Sequence, residues 1–236
     1  MTRRFPLGLT IATAIALSIL LALGVWQLER LAWKQGVLRR VAALEQAAPI
    51  PLETALALAA RGEDVDFRRV RAECQGLDTA PWLELYAIDR GQAGSRLISA
   101  CRLAQGPYGA VLVDRGFVAD TISARPPRDV AGATPVPVAG VLRAPDKASP
   151  FAPANSPQRW FRRDVPEMAR ALGAVRPAPV FLYAETSTNP QWLALKPIPV
   201  PREIPNRHLE YALTWFGLAG ALLAVYLAML FRRWKA

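Results

Sequence analysis

Histidine occurs once in the 236 residues, at position 208, and cysteine twice, at positions 74 and 101. Ser-His-Asp and Cys-His catalysis would each have to run through His208, and a metal site with two histidine ligands is impossible within one chain. Zinc is disfavoured as well, because beyond the cysteines His208 is the only further good ligand. There is no glycine-rich phosphate loop of the G-x-x-x-x-G-K-S/T or G-x-G-x-x-G kind. Acidic residues are in deficit, 19 Asp and Glu against 29 Lys and Arg, and no carboxylate pair is singled out for acid-base work.

Apolar residues, by contrast, are in excess. They make up 52% of the chain and the mean hydropathy is +0.15, more than a soluble domain needs. Most of the excess collects in two blocks, 7–28 and 211–231, each about the 20 residues that cross a roughly 30 Å hydrocarbon core as a helix. Aliphatic and aromatic residues also recur through the middle, and seven Trp exclude a disordered chain. Of the net charge of +10, Arg3, Arg4, Arg232, Arg233 and Lys235 supply five positive charges that flank the apolar blocks. The basic balance is therefore membrane-flank charge and not a nucleic-acid footprint. The first block is too long for a signal peptide. It passes through Gly24-Val25-Trp26 into Gln27-Leu28-Glu29-Arg30 without a small-residue cleavage site, and so reads as an uncleaved anchor.

Two spans place both termini on one side, and the short basic ends make that side the cytoplasm. Arg30, Lys34, Arg39 and Arg40 follow the first span and favour the opposite sense, but long extramembrane domains translocate largely regardless of charge. The expected fold class is a membrane protein with two transmembrane helices flanking a β-rich α+β extramembrane domain. The divisions are 1–6 (cytoplasmic), 7–28 (first span), 29–210 (outward domain), 211–231 (second span) and 232–236 (cytoplasmic).

Past the first span the helical pattern continues from Glu29 to Glu45 and ends at Ala48-Pro49-Ile50-Pro51. Pro51 can open a helix over 52–61, with Glu53 near its positive end and Gly62 as its C-terminal cap. From Asp66 the period becomes two, which predicts strands around Val70, over 83–88, 97–103, 110–118, 136–142 and 180–184, and a further one at 192–195. Together they suggest a mainly antiparallel sheet or small barrel. Asp164-x-x-Glu167 with Pro166 predicts a capped helix closed by Gly173, and the Pro-rich stretch 197–205 leads back to the membrane. The two cysteines fall in the outward domain, where oxidation would close a loop of about 27 residues worth about 3 kcal/mol. A redox-active or copper-carrying dithiol is the sharper reading of the pair, and a structural bridge or two unpaired buried thiols the plainer one.

If the last helix begins near Asn206, then His208, Tyr211, Ala212 and Trp215 share one face that enters the bilayer from its outer boundary. An imidazole there suits either an axial haem ligand or an interfacial residue bonded to a headgroup, a carbonyl or a neighbouring helix. On the first helix Gln27, Arg30 and Lys34 form one stripe and Trp26, Arg30 and Trp33 an adjacent one. Those cations suit haem propionates or lipid phosphates.

The run Gly24-Val25-Trp26-Gln27-Leu28-x-Arg30-x-x-Trp33-Lys34, followed far downstream by Asn206-Arg207-His208-Leu209-x-Tyr211-Ala212-Leu213-Thr214-Trp215-Phe216-Gly217-Leu218-Ala219, resembles the Surfeit locus protein 1 family of cytochrome c oxidase assembly factors. Val111-Leu112-Val113-Asp114-Arg115-Gly116-Phe117-Val118 resembles that family's strand of the same pattern. The block Phe151-x-Pro153-x-Asn155-x-Pro157-x-x-Trp160-Phe161-x-Arg163-Asp164 with Met168-Ala169 resembles the family's next block, in the expected order. The resemblance implies a bacterial inner-membrane protein whose central domain lies in the periplasm and which acts in biogenesis of haem-copper oxidases. It implies receipt of haem a from haem A synthase, delivery to the large oxidase subunit, and His208 as ligand to the haem iron. Tyr211, Thr214 and Trp215 carry over as pocket neighbours, and Trp26, Gln27 and Arg30 as the opposing wall. No enzymatic activity is implied.

The chain departs from the family pattern at both cysteines. Phe67-Arg68-Arg69-Val70 runs through Cys74 before reaching Gly76, and the run from Leu97 to Cys101 has no Pro, which suggests a lineage-specific bridge between two strands. Asp114, Arg115 and Gly116 read either as a strand end with local salt bridges or as a docking surface for the oxidase. Two other functions stay open: a scaffold that stabilises an oxidase intermediate without touching haem, and a Cys74–Cys101 redox or copper carrier.

Overall fold

Two elements at the chain ends carry the apolar blocks. In the computed structural model, which describes residues 6–129, 131–145, 153–198 and 206–235, Leu7–Gln46 forms helix α1 and His208–Lys235 the last helix, α4. Phe151 and most of the Pro-rich stretch lie outside the described residues. The segments Leu7–Gly36 and His208–Trp234 are long and apolar enough to cross a membrane. Their large side chains are left uncovered by protein, Ile15 at 57% and Val225 at 69%, as a lipid-facing surface requires. The chain divides into two units, Met1–Ala42 with Arg202–Ala236, and Ala43–Pro201.

The second unit is built on strands. Ile50–Pro51 (β1) runs straight into helix α2, Leu52–Ala60, with Pro51 as its N-cap and the Gly62 N–H closing it on the Ala59 carbonyl. Then follow Arg69–Gln75 (β2), Trp82–Asp89 (β3), Gln92–Arg102 (β4), Ala110–Ala119 (β5), Pro135–Arg143 (β6), helix Val165–Ala171 (α3) and Pro177–Ala184 (β7). The Asp164 carboxylate accepts the Glu167 N–H at 2.8 Å, which is the cap the sequence predicts for α3. The strands form one sheet in the order β1-β2-β6-β7-β5-β4-β3. It is mainly antiparallel, as the sequence predicts: four of its six strand pairs are antiparallel, and only the two-residue β1–β2 pair and the β5–β7 pair are parallel. Residues 192–195 form turns and not a strand. Lys196 alone pairs with Phe117, through the Phe117 N–H to the Lys196 carbonyl at 2.8 Å and the reverse at 3.0 Å.

Pro135 and Pro137 sit inside a central strand because of where β7 ends. They share the side of β6 from which the Ala139 N–H donates, towards Thr186, and β7 pairs with β6 only from Gly140 onward. The N–H groups that proline lacks would have met no partner strand there.

Alternate residues of β5 and β7 feed two different cores. Val111 and Val113 of β5 join Leu182, Leu142 and the α2 residues Leu52, Ala55 and Leu56 in one cluster. Leu112 joins Phe181, Trp160 and the α3 residues Val165, Met168 and Ala169 in another. The loop before α3 also extends the sheet. Trp160 pairs with β3, its carbonyl accepting the Tyr86 N–H at 2.7 Å, so the β3 edge is covered there and not left as an open template. Asn155 shapes that loop, its side-chain oxygen accepting both the Phe161 and Arg162 N–H groups at 2.9 Å.

Cys74 of β2 and Cys101 of β4 are joined by a disulfide. Those strands are not neighbours in the sheet, so the bridge ties two parts of a rolled sheet across its core. Both residues are buried, at 0% and 1% exposure, whereas a dithiol that passes electrons or copper needs an accessible sulfur. The arrangement is that of a structural bridge. Converting both cysteines to alanine is expected to lower unfolding stability by about 3 kcal/mol, by releasing a loop of 27 residues in the unfolded chain. Urea midpoints of the full chain in detergent, with and without reductant, check this; an unchanged midpoint on reduction would contradict it.

Candidate functional site

Helices α1 and α4 pair through a stripe that both sequences supply. At one end the hydroxyls of Thr10 and Tyr226 lie 2.6 Å apart; at the other, His208 Nδ1 lies 2.7 Å from Gln27 Oε1. Low numbers on one helix meet high numbers on the other, so the pair is antiparallel. Between these ends the Phe216 ring lies over Gly24, where a Cβ would sit 2.6 Å from the ring. Ala212 and Ala219 are buried at 1% and 3%. Small residues at such positions let two helices approach closely in lipid, where packing and hydrogen bonds between helices drive association.

Gln27 is buried at 9%, although its neighbours Trp26 and Leu28 are exposed, because its phase on α1 faces α4. His208 is half-buried at the first residue of α4, and its Nε2 has no hydrogen-bond partner among the described residues. Trp215 is half-buried two turns further along the same face, and its buried indole Nε1 is also without a partner. So is Asn206 Oδ1, two residues before the histidine.

Of the residues singled out from the sequence, the structure brings His208 and Gln27 together and puts Trp215 on the same face. It leaves Tyr211, Thr214, Trp26 and Arg30 exposed and outside that contact. The Thr214 hydroxyl donates to the Glu210 carbonyl at 2.9 Å, a back-bond that satisfies a polar group on a lipid-facing surface. The Arg30 guanidinium lies 4.1 Å above the Trp33 ring, one turn from Gln27. The sequence reading missed Phe216 as the lid over Gly24 and the Thr10–Tyr226 bond; hydroxyls inside otherwise apolar runs are the signal that marks such a bond.

The other unit holds charged groups that are buried yet fully engaged. Asp114 Oδ2 accepts from Arg96 Nε at 2.5 Å and Arg163 Nη2 at 3.0 Å, and its Oδ1 accepts from the Gly116 N–H at 3.2 Å. Arg115 donates through Nε to Thr188 Oγ1 at 3.0 Å, Nη1 to Ser99 Oγ at 3.3 Å and Nη2 to the Asp78 carbonyl at 3.0 Å. Burial pulls the Arg115 guanidinium down to about 10, opposed by the negative charge of Asp78. Asp114 and Arg115 are both 0% exposed, so neither offers a surface to a partner; the salt-bridge reading stands for Asp114, whereas Arg115 bonds two hydroxyls and a backbone carbonyl.

It is not a strand end, however. β5 runs on to Ala119, and the pairing with β4 shifts register between Arg96 and Ile98. Three steps on β5 oppose two on β4, which is a bulge, and it turns Arg115 into the core. Gly116 adopts φ +125°, and a Cβ on it would stand 2.3 Å from the Lys196 carbonyl, so only glycine fits the bulge. No group of three His, Cys, Asp or Glu side chains among the described residues is placed to hold a metal ion.

The SURF1 family model matches residues 14–220, which takes in the first helix from Thr13's neighbour onward, the whole sheet and the His208 end of α4. The chain is 30% identical over 235 residues to Surfeit locus protein 1 of Mus musculus, covering 89% of this chain and 72% of the relative. It is 29% identical to Surfeit locus protein 1 of Xenopus tropicalis, over 85% of this chain and 68% of the relative. To a SURF1-like protein of Rickettsia felis it is also 29% identical, over 93% and 94% of the two chains.

Proposed function

The chain belongs to the SURF1 family, and from that premise we propose that it is an assembly factor for haem-copper cytochrome c oxidase that holds haem a as cargo through His208. One observation supports this more than the others. The only histidine of the chain is fixed by a hydrogen bond to one ring nitrogen, while the other has no partner among the described residues and could ligate iron. The neighbouring groups fit such a cargo: an unpartnered indole N–H at Trp215 on the same face, and the cations Arg30 and Lys34 beyond Gln27 for propionates. A bound haem would supply a Lewis-acidic iron, and His208 Nε2 would be the nitrogen that holds it.

One ligand per chain suits a carrier. His208 alone would hold the haem, and an acceptor site with several ligating histidines would outcompete a single imidazole. In this reading haem A synthase donates the cargo, the large oxidase subunit accepts it, and no covalent step takes place on the chain, so no enzyme activity is expected. Residues 7–28 and 211–231 cross the inner membrane and 29–210 stand in the periplasm. A disulfide in the middle domain suits that oxidising compartment, and the basic ends suit the cytoplasmic face.

The test is the visible spectrum of the protein purified after coexpression with a haem A-producing pathway, beside His208→Ala at equal expression. Haem a in the wild type, and at least about tenfold less of it in the variant, is the expected result. A wild-type protein that emerges without haem from cells with a verified supply would leave a scaffold for an oxidase intermediate as the function.

A further inference from the structure

We infer that Gln27 is a positioning residue that holds His208 in the tautomer with the proton on Nδ1, so that Nε2 carries the lone pair. The role assigned to Nε2 as a haem ligand rests on the proposed function; the tautomer does not. An amide oxygen only accepts, and Gln27 Oε1 is the atom that faces Nδ1 at 2.7 Å. A neutral imidazole has one N–H, and placing it on Nδ1 leaves Nε2 as the acceptor. Gln27 is well placed to impose this. Its side chain is buried against α4 in a setting poor in competing water, where a lost hydrogen bond between helices is not replaced by solvent. Among the described residues no other group bonds to either ring nitrogen, so Gln27 is the one described residue that orients the ring.

The same arrangement recurs in metal sites generally, where a ligating histidine donates its second N–H to a fixed acceptor that sets ring orientation and raises ligand basicity. Here the acceptor lies on α1 and the ligand on α4, so the two helices must pair for the ligand to be set.

A chain with one histidine makes the test direct. After uniform ¹⁵N-histidine labelling, the full-length, haem-free protein in detergent contains a single imidazole, and its two nitrogen shifts report which atom bears the proton. At a pH well above the imidazole range, the wild type is expected to show a protonated Nδ1 and an unprotonated Nε2. Gln27→Leu is expected to lose that preference, and Gln27→Glu, which keeps an acceptor oxygen, to retain it. A wild-type imidazole protonated on Nε2, or one unchanged by Gln27→Leu, would overturn the inference.

The haem readout separates this from the parent reading. In the coexpression experiment Gln27→Leu is expected to lower haem content by about tenfold and Gln27→Glu by much less. Full haem content in Gln27→Leu would overturn the positioning role. If wild-type protein shows the Nδ1 proton but never binds haem, the proposed cargo falls and the tautomer assignment stands.

Discussion

Arg115→Ala is expected to cost the domain about 3–5 kcal/mol of unfolding free energy, and Arg115→Met clearly less, about 1–2 kcal/mol. The two values differ because two effects oppose each other at this side chain. A guanidinium at 0% exposure has lost its water, and that burial pulls its pKa down to about 10. Removing the charge relieves that cost. The sign follows from proton binding: from about 10 up to the ordinary arginine range the unfolded chain holds the proton and the folded one does not, so stability rises with pH there. Below that window both states are protonated and the cost is present in full and constant.

Alanine forfeits everything the side chain fills and bonds. It leaves a cavity in the core and removes the donors to the Thr188 and Ser99 hydroxyls and the Asp78 carbonyl. Methionine fills most of the volume, and the two hydroxyls can turn to other acceptors, which leaves the Asp78 carbonyl as the main unpaired group. Urea midpoints of the three full-length proteins check the order. If methionine proves as costly as alanine, then the three hydrogen bonds outweigh the filled volume.

The contrast between the legible and illegible parts of this chain lies in how far each signal reaches. Helix α2 was readable because Pro51 and Gly62 act within one turn of it, and α3 because Asp164, Pro166 and Gly173 do the same. Strands β2 to β7 followed from a period of two, which is also local. The two residues of β1 are too short to show any period. At 192–195 an apolar run proved to be turns, anchored by Leu195 packing on Leu97 and Val118. Sheet order and the bridge across the rolled sheet depend on residues far apart in sequence, and no local pattern carries them.

The site shows the same division. Helical phase puts His208, Ala212 and Trp215 on one face of the last helix and Gln27, Arg30 and Lys34 on one stripe of the first. Tyr211 was grouped with that face because it, like Ala212, lies within one turn of His208; the axis of contact with α1 selects Ala212 and leaves Tyr211 exposed at 53%. The Asp114-Arg115-Gly116 run reads in the sequence either as a strand end with local salt bridges or as a docking surface for the oxidase. A bulge overrides both for Arg115, since it points that side chain inward to a ring of acceptors prepared for it.

Asp114→Asn, a change of almost no volume, is expected to cost about as much as Asp114→Ala, in the range of 3–5 kcal/mol. Asp114 uses its two oxygens differently. Oδ1 receives the Gly116 N–H and so pins the bulge, while Oδ2 receives Arg96 and Arg163 together. An amide can keep one of these roles and not both. With its oxygen on Gly116, its NH₂ faces two guanidinium groups, so donors meet donors at a fully buried position. With its oxygen towards the arginines, the NH₂ meets the Gly116 N–H instead. Arg96 and Arg163 side chains retain 13% and 18% exposure and recover part of their hydration, which keeps the loss from growing larger. A Tyr183 ring 5.2 Å from both guanidinium carbons gives them a further contact that survives the substitution. The measurement is the unfolding midpoint of both variants, with Arg96→Met as a third and Arg96→Met combined with Asp114→Asn as a fourth. Removing one of the two donors should recover part of the loss caused by asparagine, since the remaining clash then involves a single arginine. Additive costs in the double variant, or asparagine behaving as well as the wild type, would show that charge at Asp114 does not hold the bulge in place.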